Sequence, residues 1–192
     1  MEFTTIAAAR EASGLRLVCM RGVPTPWTEA AKGIIHIKGL PCLYAVRTEE
    51  EPETAIADWA GDSSVPVVAY EREPLRTGWA EILLLAERLA PEPSLIPIDA
   101  GQRAEFFGLA HEVCGEMGFG WCYRLLMIQE SLGHTREGAF PPAVGGYLGG
   151  KYGFEPHAVA KALTRVIDVL GLLSERIRGR LYFFDALTAL DV

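Results

Sequence analysis

Leu15-Arg16-Leu17-Val18-Cys19-Met20 starts as an apolar and polar alternation and then turns wholly apolar, the pattern of a strand covered on both faces. Gly22-Val23-Pro24 breaks it. Thr25 followed by Pro26 predicts a helix start, with Thr25 as N-cap, because a proline in the first turn gives up an amide that had no partner there. From Trp27 the apolar positions Ala30, Ala31, Ile34 and Ile35 recur at helical spacing until Lys38-Gly39 ends the turn. A second strand over 41–46 follows, then a short helix opened by Glu49-Glu50-Glu51-Pro52 and carried through Ile56 and Trp59 to Gly61. Val65-Pro66-Val67-Val68-Ala69-Tyr70 reads as a third strand with its proline at the start, where a missing amide costs no ladder bond. Glu71-Arg72-Glu73-Pro74 turns the chain into a very short strand around Leu75. The next helix spans 78–89, with Trp79, Ile82, Leu83, Ala86 and Leu89 on one face.

The period then changes. Residues 91–97 (PEPSLIP) are too rich in proline for helix or strand and predict a linker. Beyond it, 100–132 suits one long helix, kinked near its glycines at 115–120. A glycine- and proline-rich loop over 133–153 leads to a second long helix at 156–178, with Val159, Leu163, Val166, Ile167, Leu170 and Leu173 apolar, so that the two long helices form an antiparallel pair. The expected division is an N-terminal extension at 1–13, an α/β domain at 14–90, a linker at 91–99 and an all-α domain at 100–192.

Composition narrows the function. Among 192 residues, 25 acidic side chains against 18 lysines and arginines give a net charge of −7, which repels nucleic-acid backbones and anionic membranes. No apolar run approaches the roughly 20 residues that span a bilayer, and the amino terminus lacks a basic segment followed by an apolar one; a cytoplasmic location is expected. Cys19, Cys42, Cys114 and Cys122 show no C-x-x-C pairing, and the histidines at 36, 111, 134 and 157 lack the i, i+4 repeat of a helical metal site. No metal is expected.

The segment from Thr25-Pro26-Trp27-Thr28 to Lys38-Gly39-Leu40-Pro41-Cys42 resembles, without a gap, the glutathione S-transferase stretch that opens with a catalytic Ser or Cys, Pro and an aromatic and closes on K-G-[ILV]-P-[YF]. Ser64-Val65-Pro66-Val67-Val68 is similar to that family's cis-proline strand, and Leu85-Ala86-Glu87-Arg88-Leu89 to the end of its third helix. The residues from Asp185 to Asp191 (DALTALD) look like the N-capping box of its sixth helix, and the expectation is a divergent member truncated there, with the face of the second domain left open or covered by a partner. The resemblance implies a thioredoxin-like N-terminal domain followed by a helical one, glutathione as cofactor, a small apolar electrophile as acceptor, and a homodimer.

It also implies a site. Thr25 stands where the family places the hydroxyl or thiol that stabilises the glutathione thiolate at a helix N-terminus. Val65 and the cis Pro66 would pair with the backbone of the tripeptide, and Thr77-Gly78 replaces the family's acid and serine at the γ-glutamyl end. Glu81 and Arg76 are the nearest charged groups that could compensate. Trp27, Trp121 and Tyr123 would line the acceptor pocket, with His111, Glu112 and Arg124 on the same long helix. Two readings stay open: a transferase conjugating or cleaving small electrophiles, and a ligand-binding or scaffold protein of the same fold that has lost the standard glutathione site.

Overall fold

The computed structural model describes residues 2–20, 25–133 and 140–192 and divides the chain into two units, 1–96 with Val192, and 97–191. The break expected at 22–24 and the segment 134–139 of the expected loop lie outside the described residues.

The first unit is built on a sheet of four strands, β1 (Phe3–Thr4), β2 (Leu15–Cys19), β3 (Cys42–Val46) and β4 (Val67–Tyr70), in the order β1-β3-β2-β4. β1 and β2 both run parallel to β3, and β4 runs antiparallel to β2. An isolated bridge joins Val68 to Arg76, where a very short strand was expected around Leu75. Alternation along β2 sends Leu15, Leu17 and Cys19 to one face, against Ala31 and Ile35 of α2 (Pro26–Ile37) and Ile82 and Leu85 of α4 (Trp79–Leu89). Val18 faces the other way, into a core with Ile6 and Ala9 of α1 (Ile6–Glu11) and Ile56 of α3 (Ala55–Ala60).

The N-terminal residues are therefore not an extension outside the fold. They contribute an edge strand and a helix, and two side chains fasten them. Arg16, 3% exposed, donates from Nε to Ala9 O (3.2 Å), from Nη1 to Gly14 O (2.5 Å) and from Nη2 to Glu71 O (3.1 Å). Glu51 accepts the Ile6 and Ala7 amides at the head of α1 (3.2 and 2.8 Å) and the Thr48 amide (3.0 Å). Desolvation is the largest influence on the Glu51 carboxyl and raises its pKa, but the bonds from Thr48, Ala7 and Ile6 together outweigh it and hold the pKa below the ordinary range. A lowered pKa stabilises the fold above the unfolded value of about 4.3, and that contribution disappears as pH falls through the lower folded value. Hydrogen exchange should accordingly show protection at Ile6 and Ala7 near neutrality that fails on acidification, and Glu51→Gln should lack it already at neutral pH.

The expected linker is half core. Leu95 and Ile96 are 0% and 4% exposed, and 91–96 belongs to the first unit. Lys38, whose side chain is wholly buried, binds Glu87 Oε1 (2.6 Å) and donates to Pro93 O (2.6 Å) and Pro91 O (3.5 Å). Glu87 in turn accepts the Leu95 amide (2.8 Å) and the Ser94 hydroxyl (3.2 Å).

The second unit contains α5 (Ala100–Cys114), α6 (Phe119–Gly133), α7 (Pro142–Tyr152) and α8 (Val159–Ile177). The single helix expected over 100–132 is two: the chain breaks at 115–118, with Met117 in the left-handed region (φ 58°). Arg165 clamps that break through an ion pair with Glu112 and a hydrogen bond to Met117 O (3.3 Å). The expected loop also contains a helix, α7, despite four glycines inside it. Gly145 shows why: a Cβ there would come within 2.8 Å of Ser131 Cβ, so its lack of a side chain lets α7 lie close against α6. Cys122, Leu125 and Ile128 of α6 pack with Ala162 and Val166 of α8 as the core. Only the carboxylate half of the expected capping box forms, on a 3-10 turn: Asp191 Oδ2 accepts the Thr188 amide and hydroxyl (2.8 and 2.9 Å), Oδ1 accepts the Phe183 amide (3.0 Å), and the Asp191 amide goes to the Thr188 carbonyl (3.0 Å). Leu163, Ile167 and Leu170, apolar positions of the expected second long helix, are 50%, 60% and 49% exposed.

Candidate functional site

The register gathers three of the sequence-selected segments at one end of the sheet. β4 pairs with β2 so that Val18 lies opposite Val67, which puts Val65 and Pro66 beyond the carboxyl end of β2, the end from which the chain leads on to Thr25. The bridge between Val68 and Arg76 carries Thr77 and Gly78 to the same end.

Thr25 is the N-cap of α2, in extended conformation (φ −113°, ψ 138°), with Pro26 in the first turn. Its Oγ1 accepts the Thr28 amide (3.2 Å) and lies 2.7 Å from Thr28 Oγ1, to which it donates. Thr28 is 2% exposed. The hydroxyl is thus held by its own helix turn, and because both partners are hydroxyls the shared hydrogen bond can run in either direction. If Thr28 donates, Thr25 Oγ1 accepts from two groups and keeps its own proton for an anion at the head of α2. Trp27 is partly buried one position into the helix.

The peptide bond between Val65 and Pro66 is cis, and Pro66 is buried while Val65 is partly exposed. Thr77 is exposed, and Gly78 is the N-cap of α4. The Gly78 amide is already engaged: it donates to Glu81 Oε2 at 3.1 Å. A Cβ at position 78 would lie 2.7 Å from that oxygen, the far end of a flexible side chain. Glu81 also borders a cleft of about 420 Å³ whose lining includes Leu75, Arg76, Leu84 and Arg88. Arg76, considered from sequence as a free attractor of carboxylates, is paired with Glu73 (2.6 Å), which also binds Arg88 (2.6 Å). Those bonds, from Arg88 first and then Arg76, hold the Glu73 carboxyl below its usual range.

Trp121 and Tyr123 belong to the second unit. Trp121 stands edge-on to Tyr152, ring centres 4.7 Å apart, and Tyr123, 44% exposed, stacks on Phe119 at 6.0 Å. Burial pushes the Cys19 and Cys114 thiols up to about 11 and Cys42 to about 12, and it raises Cys122 as well, so each stays protonated at neutral pH. Sequence reasoning missed Thr28, which carried no signal beyond an ordinary helix face, and it missed that Glu81 turns inward on Gly78, for which the G-x-x-E spacing was the available signal.

No model of a protein family and no curated protein matches this sequence. Solved structures do. An omega 3C glutathione transferase from Trametes versicolor is similar over 97% of this chain and 72% of its own, with 17% identity and a TM-score of 0.62. A glutathione S-transferase from Methylobacillus flagellatus, crystallised with glutathione bound, aligns over 93% and 78% at 16% identity and a TM-score of 0.67. A glutathione transferase family member from Pseudomonas fluorescens Pf-5, with two glutathiones bound, aligns over 97% and 77% at 12% identity and a TM-score of 0.65. Likeness at this level is likeness of fold: a thioredoxin-like first unit followed by a helical second one. No helix among the described residues is long and apolar enough to cross a membrane.

Proposed function

We propose that this chain, with the fold of the glutathione transferases, is a glutathione S-transferase-like protein that binds glutathione in its first unit and activates the thiol with Thr25 for attack on a small apolar electrophile. The observation that carries the reading is the hydroxyl pair at the head of α2. Thr28, buried one turn on, can donate to Thr25 Oγ1 at 2.7 Å while its amide donates to the same oxygen at 3.2 Å. An oxygen that accepts two hydrogen bonds donates its own proton more strongly, and the positive end of α2 adds to the stabilisation of a thiolate there.

When bound, glutathione supplies the nucleophilic sulfur. Val65, before the cis proline, offers backbone to the extended tripeptide as an added strand would, Thr77 supplies a hydroxyl at the γ-glutamyl end, and Gly78 supplies its amide there once Glu81 releases it. Thr25 holds the ionised form of the thiol and performs no covalent step. Trp27, one position into α2, supplies apolar surface suited to the electrophile. The reading carries a cytoplasmic homodimer with it, and light scattering that returned the mass of one chain would remove the dimer.

A second reading is favoured by one specific observation. The amide of Gly78 is occupied by Glu81, so the helix start that would receive the γ-glutamyl carboxylate already carries an anion of the chain itself. That arrangement suits a ligand-binding or scaffold protein without thiol chemistry. Calorimetric titration with glutathione separates the two. The transferase reading expects heat of binding with the wild type and several-fold tighter binding by Glu81→Gln, which removes the competing charge; no heat with either protein would sink it.

A further inference from the structure

Three cations of the second unit, Arg103, Arg124 and Lys151, lie over aromatic rings and use no ion pair among the described residues, and the last two share a neighbour in Tyr152. Arg124 sits on α6 three residues after Trp121, its guanidinium carbon 5.1 Å from the centre of the Phe140 ring, and it donates a hydrogen bond to the Tyr152 hydroxyl. Lys151 Nζ is 5.8 Å from the centre of the Tyr152 ring, against which Trp121 stands edge-on. Among the described residues no ion pair uses Arg124 or Lys151. In a chain with 25 acidic and 18 basic side chains, two neighbouring cations with no ion pair among the described residues are a local reversal of the overall field.

The cost of that arrangement points to what completes it. Two like charges beside one ring repel each other, and Arg124 is partly withdrawn from water. A ring face steadies a guanidinium by its quadrupole but takes none of its N–H groups, so those not given to the Tyr152 hydroxyl stay available for a carboxylate. Phe140 and Trp121 provide flat apolar surface beside the charge.

We propose that Arg124, with Lys151 beside it, is a recognition site for the carboxylate of an aromatic or apolar small molecule whose body packs on Phe140 and Trp121. The binding step needs no glutathione, so the inference stands apart from the transferase reading.

The test compares 4-phenylbutyrate with 4-phenylbutan-1-ol, equal in shape and different in charge, by calorimetry and by quenching of tryptophan fluorescence, with glutathione left out. The wild type should bind the carboxylate at least about tenfold more tightly than the alcohol, the scale of a charge-assisted hydrogen bond. Added salt should narrow that gap. Arg124→Met should lose roughly tenfold for the carboxylate and leave the alcohol unchanged, and Arg124→Lys should recover part of the loss. Lys151 is exposed, so Lys151→Met should keep the thermal midpoint and lose several-fold for the carboxylate alone, which tests the site even if the Arg124 variants do not fold. Equal affinity for the two probes, binding of neither, or discrimination that persists in both methionine variants would overturn the proposal. Since the assay contains no glutathione, its failure is separate from a failure of the transferase reading, which shows as absent heat with glutathione.

Discussion

Lys38→Met is expected to lower the stability of the first unit by about 3–5 kcal/mol, the usual cost of breaking a buried ion pair by removing one partner. The wild-type ammonium is wholly shielded from water and satisfied by Glu87 at 2.6 Å and by the Pro91 and Pro93 carbonyls. Methionine fills the space but leaves the Glu87 carboxylate, 17% exposed, with only the Leu95 amide and the Ser94 hydroxyl, and leaves both prolyl carbonyls without their donor. The loss should therefore reach beyond the pair and free 91–96 from the unit. Urea unfolding followed by tryptophan fluorescence reads the stability, and amide exchange at Leu95 and Ile96 reads the release. Lys38→Met combined with Glu87→Met should recover much of the loss, because an apolar pair no longer strands a charge. An unchanged midpoint in Lys38→Met would show that the pair contributes nothing.

Thr25→Ala is expected to reduce turnover of glutathione with an apolar aryl halide by about 10²–10³-fold, the range found when one preorganised donor to a developing or stabilised anion is deleted. The Michaelis constant for glutathione should stay within a few-fold, since Val65, Thr77 and Gly78 are untouched. Thr25→Ser keeps the hydroxyl, removes the methyl that crowds the sulfur, and should match or exceed the wild type. Thr28→Val should fall between, because it deletes the hydroxyl that supports Thr25 but spares the backbone amide at 3.2 Å. The alanine variant also loses its N-cap, a cost of about 1 kcal/mol, so its thermal midpoint should be read beside its rate. Equal rates for Thr25→Ala and wild type would remove Thr25 from the chemistry.

Sequence carried the strands and helices of 14–90 because each is local: alternation sets the strand faces, and Thr25-Pro26 and Lys38-Gly39 bracket a helix whose ends are written in capping chemistry. It misjudged residues whose partners come from far along the chain. The strand of Arg16 reads as covered on both faces, but nothing local shows that a carbonyl of α1 takes the guanidinium. Lys38 reads as an ordinary basic helix end, and only the linker 53 to 55 residues later turns it into a buried anchor. The first residues looked like a tail since β1 is two residues long, too short for any periodicity. Composition misled at α7, where glycines that discourage a helix are what permit its close approach to α6. In the candidate site, Thr25, Val65, Pro66, Thr77 and Gly78 are singled out by the resemblance to the glutathione transferases, whereas the inward turn of Glu81 and the contact between Thr25 and Thr28 depend on rotamers that no pattern encodes.

The most direct test of the central claim is the ionisation of the glutathione thiol in complex, followed by ultraviolet thiolate absorbance as pH is raised, for wild type and Thr25→Ala. Hydrogen bonding and the positive end of α2 both favour the charged form of the thiol, so its pKa in the wild-type complex should fall below that of free glutathione. In Thr25→Ala binding should persist while the pKa returns most of the way to the free value. A bound thiol that ionises like free glutathione in the wild type, or identically in the two proteins, would contradict the assignment of Thr25.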